Sequence, residues 1–433
     1  MKCFSPPPCR LKIHVWGHLR NALQKENCIL LQSTAEGGEK VIFDMRDFEV
    51  LRLCGLCRYL PIRLRRRFNL EIFDVKVINT LRKHGLIKLQ SDGSGYKLTY
   101  NGRQVLSEMG YTFPEDARTN IKRSPYKRKL FAALWNIVLY LAGIDIWGKD
   151  LRTLNGKDTG YISSLMMRSD NNKKVLAGAR FLGVLKIFDT VYVPYFLANG
   201  NEKIQPAFER NTYTALADSL SGVRGIKLIL TGKSLEELWA YINLPLQGTP
   251  PNNGQRCFYD ALQELGNDYL LMPLNNHGAL QMGVIKFWRD MGRFSQMLGS
   301  VPLKEEAALH LSDCDGMIDD QPCVLAFDFN VKRIVRALKQ VKKYDAKLVP
   351  RIYCFPFQKR TMFMLLKKYG IIKSVVYAVE EESVRRVFPE VNIKYSGISP
   401  DISKEGVMID ASDGKISKND VEVSEDTWDM PKD

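Results

Sequence analysis

The sequence predicts a mixed α+β and α/β multidomain chain: an N-terminal winged helix-turn-helix followed by an α/β domain. Three observations carry this. Between Asp44 and Tyr111, three helical patterns run into a short hairpin. From Cys323 to Val379, apolar strands alternate with amphipathic helices, the pattern of a layered α/β sheet. At 433 residues the chain is long enough for two or three domains.

The N-terminal elements follow in order. Residues Asp47 to Leu60 form an amphipathic first helix. Pro61 suits the first position of a second helix ending at Phe68, where its missing N–H is not needed. A third helix runs from Asp74 to His84 and closes at Gly85, a residue fit for a left-handed C-terminal turn. Strands Leu86 to Gln90 and Tyr96 to Tyr100 flank Asp92-Gly93, a strong hairpin signal. An arm, Met1 to Phe43, adds a strand or two beside this unit.

Between Arg58 and Arg103 there are eleven basic and three acidic residues, about half of the chain's net charge of +15. Lys and Arg supply the phosphate contacts that dominate non-specific DNA affinity. In a winged helix-turn-helix the third helix enters the major groove and the second crosses the backbone. Lys76, Asn79, Thr80, Arg82 and Lys83 are therefore expected to face double-stranded DNA, opposite Val75, Ile78 and Leu81 on the core side. Arg63, Arg65, Arg66 and Arg67 are expected to hold phosphates, and Lys88, Tyr96 and Lys97 to lie on the wing. A winged helix used for protein contacts is the alternative.

Composition sets further bounds. A pI near 9.3 favours an anionic partner. Nine scattered cysteines do not read as a disulfide framework, which implies a reduced, cytoplasmic setting. Cys54-Gly55-Leu56-Cys57 has CxxC spacing but no second pair nearby, so buried thiols in a helix are expected rather than a metal. His14 and His18 have no nearby Cys, Asp or Glu partners. Met1 to Arg10 holds Pro-Pro-Pro and no apolar core, and is not read as a signal peptide. Leu130 to Ile144 is apolar, but at about 15 residues it falls short of the ~20 that span a bilayer, so a buried helix is expected and no membrane contact.

The middle region contains the loop Asn155 to Gly160 and a strand pair, Gly183 to Ile187 and Val191 to Tyr195, joined at Asp189. A buried strand, Ile226 to Leu230, then feeds a helix, Leu235 to Ile242. Thr231-Gly232-Lys233-Ser234 resembles the tail of a phosphate loop, but position 227 is Lys where that loop needs Gly. Ser234 with Glu237 fits a helix capping box instead. Further on, a strand Cys323 to Phe329 precedes the helix Val331 to Tyr344. The helix sets Val331, Ile334, Val335, Leu338 and Val341 on one face, with Lys332, Arg333, Arg336, Lys339, Lys342 and Lys343 on the other. Strand Val349 to Phe355, helix Lys359 to Tyr369 and strand Ser374 to Val379 complete the alternation. The tail from Pro400 is acidic and is expected to be mobile.

Asp315-Gly316, then Asp328-Phe329-Asn330 before a helix, resembles the layout of PD-(D/E)XK nucleases. There two acids hold Mg²⁺, which activates water and stabilises the leaving oxygen, and a Lys two residues after the second acid orients the nucleophile. Asn330 occupies that Lys position, and Lys332 is the candidate substitute. The expectation is a degenerate, restriction-endonuclease-like domain. A working metal nuclease using Asp315, Asp328 and Lys332, with Asp315 and Asp328 as the metal ligands, is the alternative.

The chain also resembles the replication-relaxation family of plasmids and integrative mobile elements. The resemblance is carried by Arg46-Asp47 at the head of the first helix, by Ala179 to Leu185 with Val191 to Tyr195, and by Cys314-Asp315-Gly316 leading into Ala326 to Phe329. It covers Arg46 to Val379 and supplies no catalytic residues. It implies DNA binding linked to replication or transfer of a mobile element in a bacterium. The expectation is a DNA-binding accessory protein in replication, relaxation or transfer that acts by binding, with replication or transfer proteins or a second copy of the chain as further partners. No cofactor is expected, Mg²⁺ belonging only to the nuclease alternative. A winged-helix transcription regulator is the remaining alternative. The expected boundaries are 1–43 for the arm, 44–112 for the winged helix and 113–125 for a linker. They continue as 126–248 for a middle α/β region, 249–396 for the C-terminal α/β domain and 397–433 for the tail.

Overall fold

The computed structural model describes residues 28–32, 40–62, 64, 68, 74–91, 93, 95–113, 124–169, 181–197, 203–204, 206–243, 256–257, 262, 265–371, 373–389 and 407–408. The chain is a mixed α and β protein whose described residues form five sheets, two of them five-stranded. Most of the expected linker and most of the acidic tail lie outside the described residues.

At the N-terminal end, β1 (Cys28–Gln32) pairs antiparallel with β2 (Lys40–Asp44), which runs directly into α1 (Met45–Cys57). The next sheet orders its strands β3 (Leu60–Pro61), β5 (Gly95–Leu98), β4 (Ile87–Leu89), all antiparallel. Pro61 thus pairs with Gly95 as a strand residue and does not start a helix. Leu64 and Phe68 beyond it are buried. Helix α2 (Val75–Lys83) lies one residue inside the expected bounds at each end. Asp74 caps it by accepting from the Lys76 N–H at 3.2 Å, and Gly85 closes it at φ 65°. Helix α3 (Tyr100–Glu108) is capped by Thr99, whose hydroxyl also donates to the Gly85 carbonyl at 2.6 Å. The end of α2, the hairpin and α3 are therefore tied at one corner. Gly102 is required there, because a Cβ would stand 2.2 Å from the Leu86 carbonyl oxygen.

Helix α4 (Ser124–Leu141) contains most of the apolar stretch tested above for a membrane span. It is a packed internal helix: Leu134, Trp135, Ile137, Val138 and Leu139 are at most 4% exposed. It packs between α1 on one side and α8 (Asn276–Lys286) on the other. Among the described residues, no helix is long and apolar enough to cross a membrane.

The first large sheet runs β12 (Tyr269–Pro273), β10 (Gly225–Gly232), β8 (Thr190–Phe196), β7 (Gly183–Ile187), β6 (Thr159–Ser163). Strands β12, β10 and β8 are parallel; β7 and β6 add antiparallel. Strands β9 (Lys203–Ile204) and β11 (Arg256–Cys257) pair separately; helices α5 (Ser164–Ser169) and α6 (Pro206–Ser219) precede β10, and α9 (Met291–Met297) and α10 (Glu305–His310) follow α8. The expected strand pair around Asp189 is β7–β8. Helix α7 (Leu235–Ile242) follows β10 as expected, with the Ser234 hydroxyl accepting from the Glu237 N–H at 3.2 Å. The Glu237 carboxylate accepts from the Tyr241 hydroxyl at 2.5 Å.

The second large sheet runs β13 (Gly316–Ile318), β14 (Gln321–Leu325), β15 (Arg351–Cys354), β16 (Val375–Ala378), β17 (Val407–Met408). Its central three strands are parallel, linked by α11 (Val331–Tyr344) and α12 (Pro356–Lys368). Asp319 and Asp320, both at positive φ, make the two-residue β13–β14 hairpin, the conformation such a loop needs.

The two sheets meet where Leu270 of β12 bridges Asn330. Gln281 of α8 staples the seam: its amide donates to the Leu271 and Asp328 carbonyls, each at 2.8 Å. Strand residues alternate between two cores. Leu270, Met272, Leu325 and Phe327 join the core shared with α4 and α8, while Leu271, Val324 and Ala326 join the core under α7, α11 and α12.

Candidate nucleic-acid interface and the aspartate–arginine cluster

Two groupings contain the residues singled out by the sequence. The first is α2 with the β4–β5 hairpin. Val77, Ile78 and Leu81 turn inward, whereas Lys76, Asn79, Arg82 and Lys83 are exposed and Thr80 is half-buried. Val75, expected in the core, is 58% exposed. It is the first residue of the helix, and the inward turn begins at Val77. Lys88 is exposed on β4, opposite Lys97 on β5, and Tyr96 and Lys97 are half-buried. The helix and the hairpin thus each carry exposed cations. Arg63, Arg65, Arg66 and Arg67 lie outside the described residues.

Beneath this surface, Cys54 and Cys57 are buried thiols. Cys57 donates to the Ala133 carbonyl at 3.8 Å and accepts from the Asn136 amide, so it joins α1 to α4. Burial pushes its pKa up to about 12.

The second grouping surrounds the start of α11. Asp315, at the head of β13, and Asp328, after β14, are brought together as the sequence predicts, and the Arg333 guanidinium lies between them. Arg333 Nη1 stands 3.0 Å from an Asp315 carboxylate oxygen, and Nη2 stands 3.4 Å from Asp328. Nη2 also donates to the Leu325 carbonyl, and the guanidinium lies 4.9 Å from the Trp288 ring centre. Burial opposes its charge, but Asp315 and Asp328 outweigh burial and raise its pKa above the ordinary arginine value. Asp315 further accepts from the Leu325 N–H at 2.7 Å.

Lys332 points elsewhere, its ammonium 5.8 Å from the Tyr269 ring centre. Asn330 is fully buried: its Oδ1 caps α11 by accepting from the Arg333 N–H at 3.1 Å, and its Nδ2 donates to Asp268 at 3.1 Å. One turn along, Arg336 bridges Asp268 at 2.6 Å and Asp313 at 3.1 Å. Burial would raise the Asp268 pKa, but hydrogen bonds from Arg336 and Asn330 win and lower it.

Asp268, Arg333 and Arg336 are the members that sequence reasoning missed as a group. Two arginines three apart on a helix, following several loop aspartates, are the only sequence trace of the cluster. Phe329, at φ 48°, turns the chain so that Asp328 and Asn330 both reach it. Among the described residues, no group of three or more His, Cys, Asp or Glu side chains is placed to hold a metal ion.

No family model matches the chain, and no curated protein and no solved structure matches it.

Proposed function

We propose that the protein binds double-stranded DNA through a winged helix formed by α1, α2 and the β4–β5 hairpin, and that it acts by binding and not by bond cleavage. The observation that supports this best is α2 itself. Its inner face is apolar, and its outer face presents Lys76, Asn79, Arg82 and Lys83 beside the Lys88 of the hairpin. Cations tracking a helix face and an adjoining wing suit a groove and its flanking phosphates. A role in replication, relaxation or transfer of a mobile element is the context that the sequence resemblance suggests. The binding reading is favoured over cleavage because the Arg333 guanidinium occupies the place, between Asp315 and Asp328, that a nuclease would give to a metal.

The test mixes the protein with supercoiled plasmid, with EDTA, Mg²⁺ or Mn²⁺, across a salt series, and reads mobility and topology on one gel. The expected result is a salt-sensitive shift without nicking. A Lys76→Glu, Lys83→Glu variant weakens the shift and flattens its salt dependence by about 2 in the log–log slope. Metal-dependent nicking that is lost in Asp328→Ala overturns the binding-only reading. The absence of a shift at any salt overturns DNA binding altogether.

A further inference from the structure

A second long basic region lies outside α2. Residues 332–368 contain twelve Lys or Arg and one acid, Asp345. Three of the twelve are neutralised in place: Arg333 and Arg336 by the aspartate cluster, and Arg351 by Asp319 at 2.6 Å. The other nine lie on α11, on α12 and in the loop between them. Lys339, Lys342 and Lys343 are exposed on α11, as is Lys347 just beyond it, and Arg360 and Lys367 are exposed on α12. The Lys339 ammonium lies 5.8 Å from the ring centre of Tyr369 at the end of α12, so the two helices present a continuous surface. On α11, Lys339 and Lys343 lie one turn apart on the face opposite the buried Ile334, Leu338 and Val341, about 6 Å along the axis at ~1.5 Å of rise per residue, enough to meet neighbouring phosphates of one strand.

We propose that the α11–α12 face is a second duplex-DNA surface, one that holds the phosphate backbone without reading bases. The proposal rests on the reading of this chain as a DNA-binding protein, but not on α2 being the site. Charge complementarity selects the occupant. Exposed lysines on two adjoining helices, with the nearby Asp268 and Asp313 already held by Arg336, match a polyanion, and lysine acts there as a point charge with little base preference. The surface adds affinity to every sequence alike, while α2 supplies whatever sequence preference exists.

The full-length protein is titrated into a fluorescent 30-base-pair duplex across a salt series, reading anisotropy. Lys339→Gln, Lys343→Gln and Lys367→Gln together are expected to weaken binding at least tenfold. They are also expected to reduce the log–log salt slope by about 2.7, three contacts at about 0.9 each. Lysine acetylation read by mass spectrometry is the independent measurement: Lys339, Lys343 and Lys367 become protected when duplex is added to the unaltered protein. If the triple variant binds with unchanged affinity and slope and those lysines stay unprotected, the proposal is overturned, whether or not Lys76→Glu, Lys83→Glu has lost binding. If the triple variant loses binding and the α2 variant does not, this surface stands and the α2 interface fails. Protection of the same lysines by a short acidic peptide but not by duplex also overturns it, in favour of a protein ligand.

Discussion

Replacing Arg333 by alanine removes the cation that, among the described residues, both Asp315 and Asp328 contact. Asp328 is 4% exposed, and the side chains of Asp315 and Arg333 are 21% and 12% exposed, so solvent screens the cluster poorly. Removing one partner of a buried pair leaves an uncompensated charge and costs about 3–5 kcal/mol. With a urea m-value of about 3 kcal/mol per M, the unfolding midpoint should fall by about 1–1.7 M at pH 7.5. The assay is urea denaturation followed by far-UV circular dichroism at pH 7.5. A midpoint within about 0.2 M of the unaltered protein would refute the assignment of Arg333 as an internal counterion.

Other outcomes are equally definite. Gly102→Ala should destabilise the N-terminal unit by about 1–3 kcal/mol, because its Cβ would stand 2.2 Å from a backbone oxygen that cannot move freely; thermal melting checks it. Gly278→Ala should be at least as harmful, with its Cβ 1.8 Å from the Pro273 carbonyl oxygen, and little soluble protein is expected on expression. Asp268 has a folded pKa held below its ordinary 3.8, so its contribution to stability is present above pH 4 and lost as pH falls below that value. Asp268→Asn should flatten the acid limb of the stability profile. Cys57, its pKa pushed up to about 12 and its thiol buried, should resist a thiol reagent at pH 8 until the protein is unfolded, as peptide mapping would report.

The elements with the clearest periodicity are the ones whose bounds the sequence carries best. Helix α11 spans the expected Val331–Tyr344 because its apolar positions recur at helical spacing and Asn330 caps it. Strands β15 and β16 fall within the expected runs, since continuous apolar residues between two helices suit a sheet buried on both faces. Pro61 misled because its fixed φ suits a helix start and a strand alike, and its pairing with Gly95 depends on a hairpin some thirty residues away. At the cluster, the closeness of Asp315 and Asp328 was legible from the hairpin between them. The role of Arg333 was not: on the helical wheel it borders the solvent face, and only the seam between the two sheets buries it. Lys332, one residue earlier, looked as suitable by spacing and points toward Tyr269 instead.

Arg52 of α1 has a mechanical consequence. Its guanidinium lies 4.1 Å from the Tyr111 ring centre and 3.9 Å from that of Trp147. Trp147 follows α4 on a segment anchored to the large sheet through the Tyr161 N–H, which donates to the Asp145 carbonyl at 2.9 Å, and to α8 through Lys286, which donates to the Gly143 carbonyl at 2.8 Å. The Tyr140 hydroxyl adds a bond to Glu49 of α1 at 2.6 Å. These contacts act as a bolt between the N-terminal elements and the sheet body, joining α1 to α4, α8 and the edge strand β6. Arg52→Ala would loosen the bolt without touching a single cation on the outer faces.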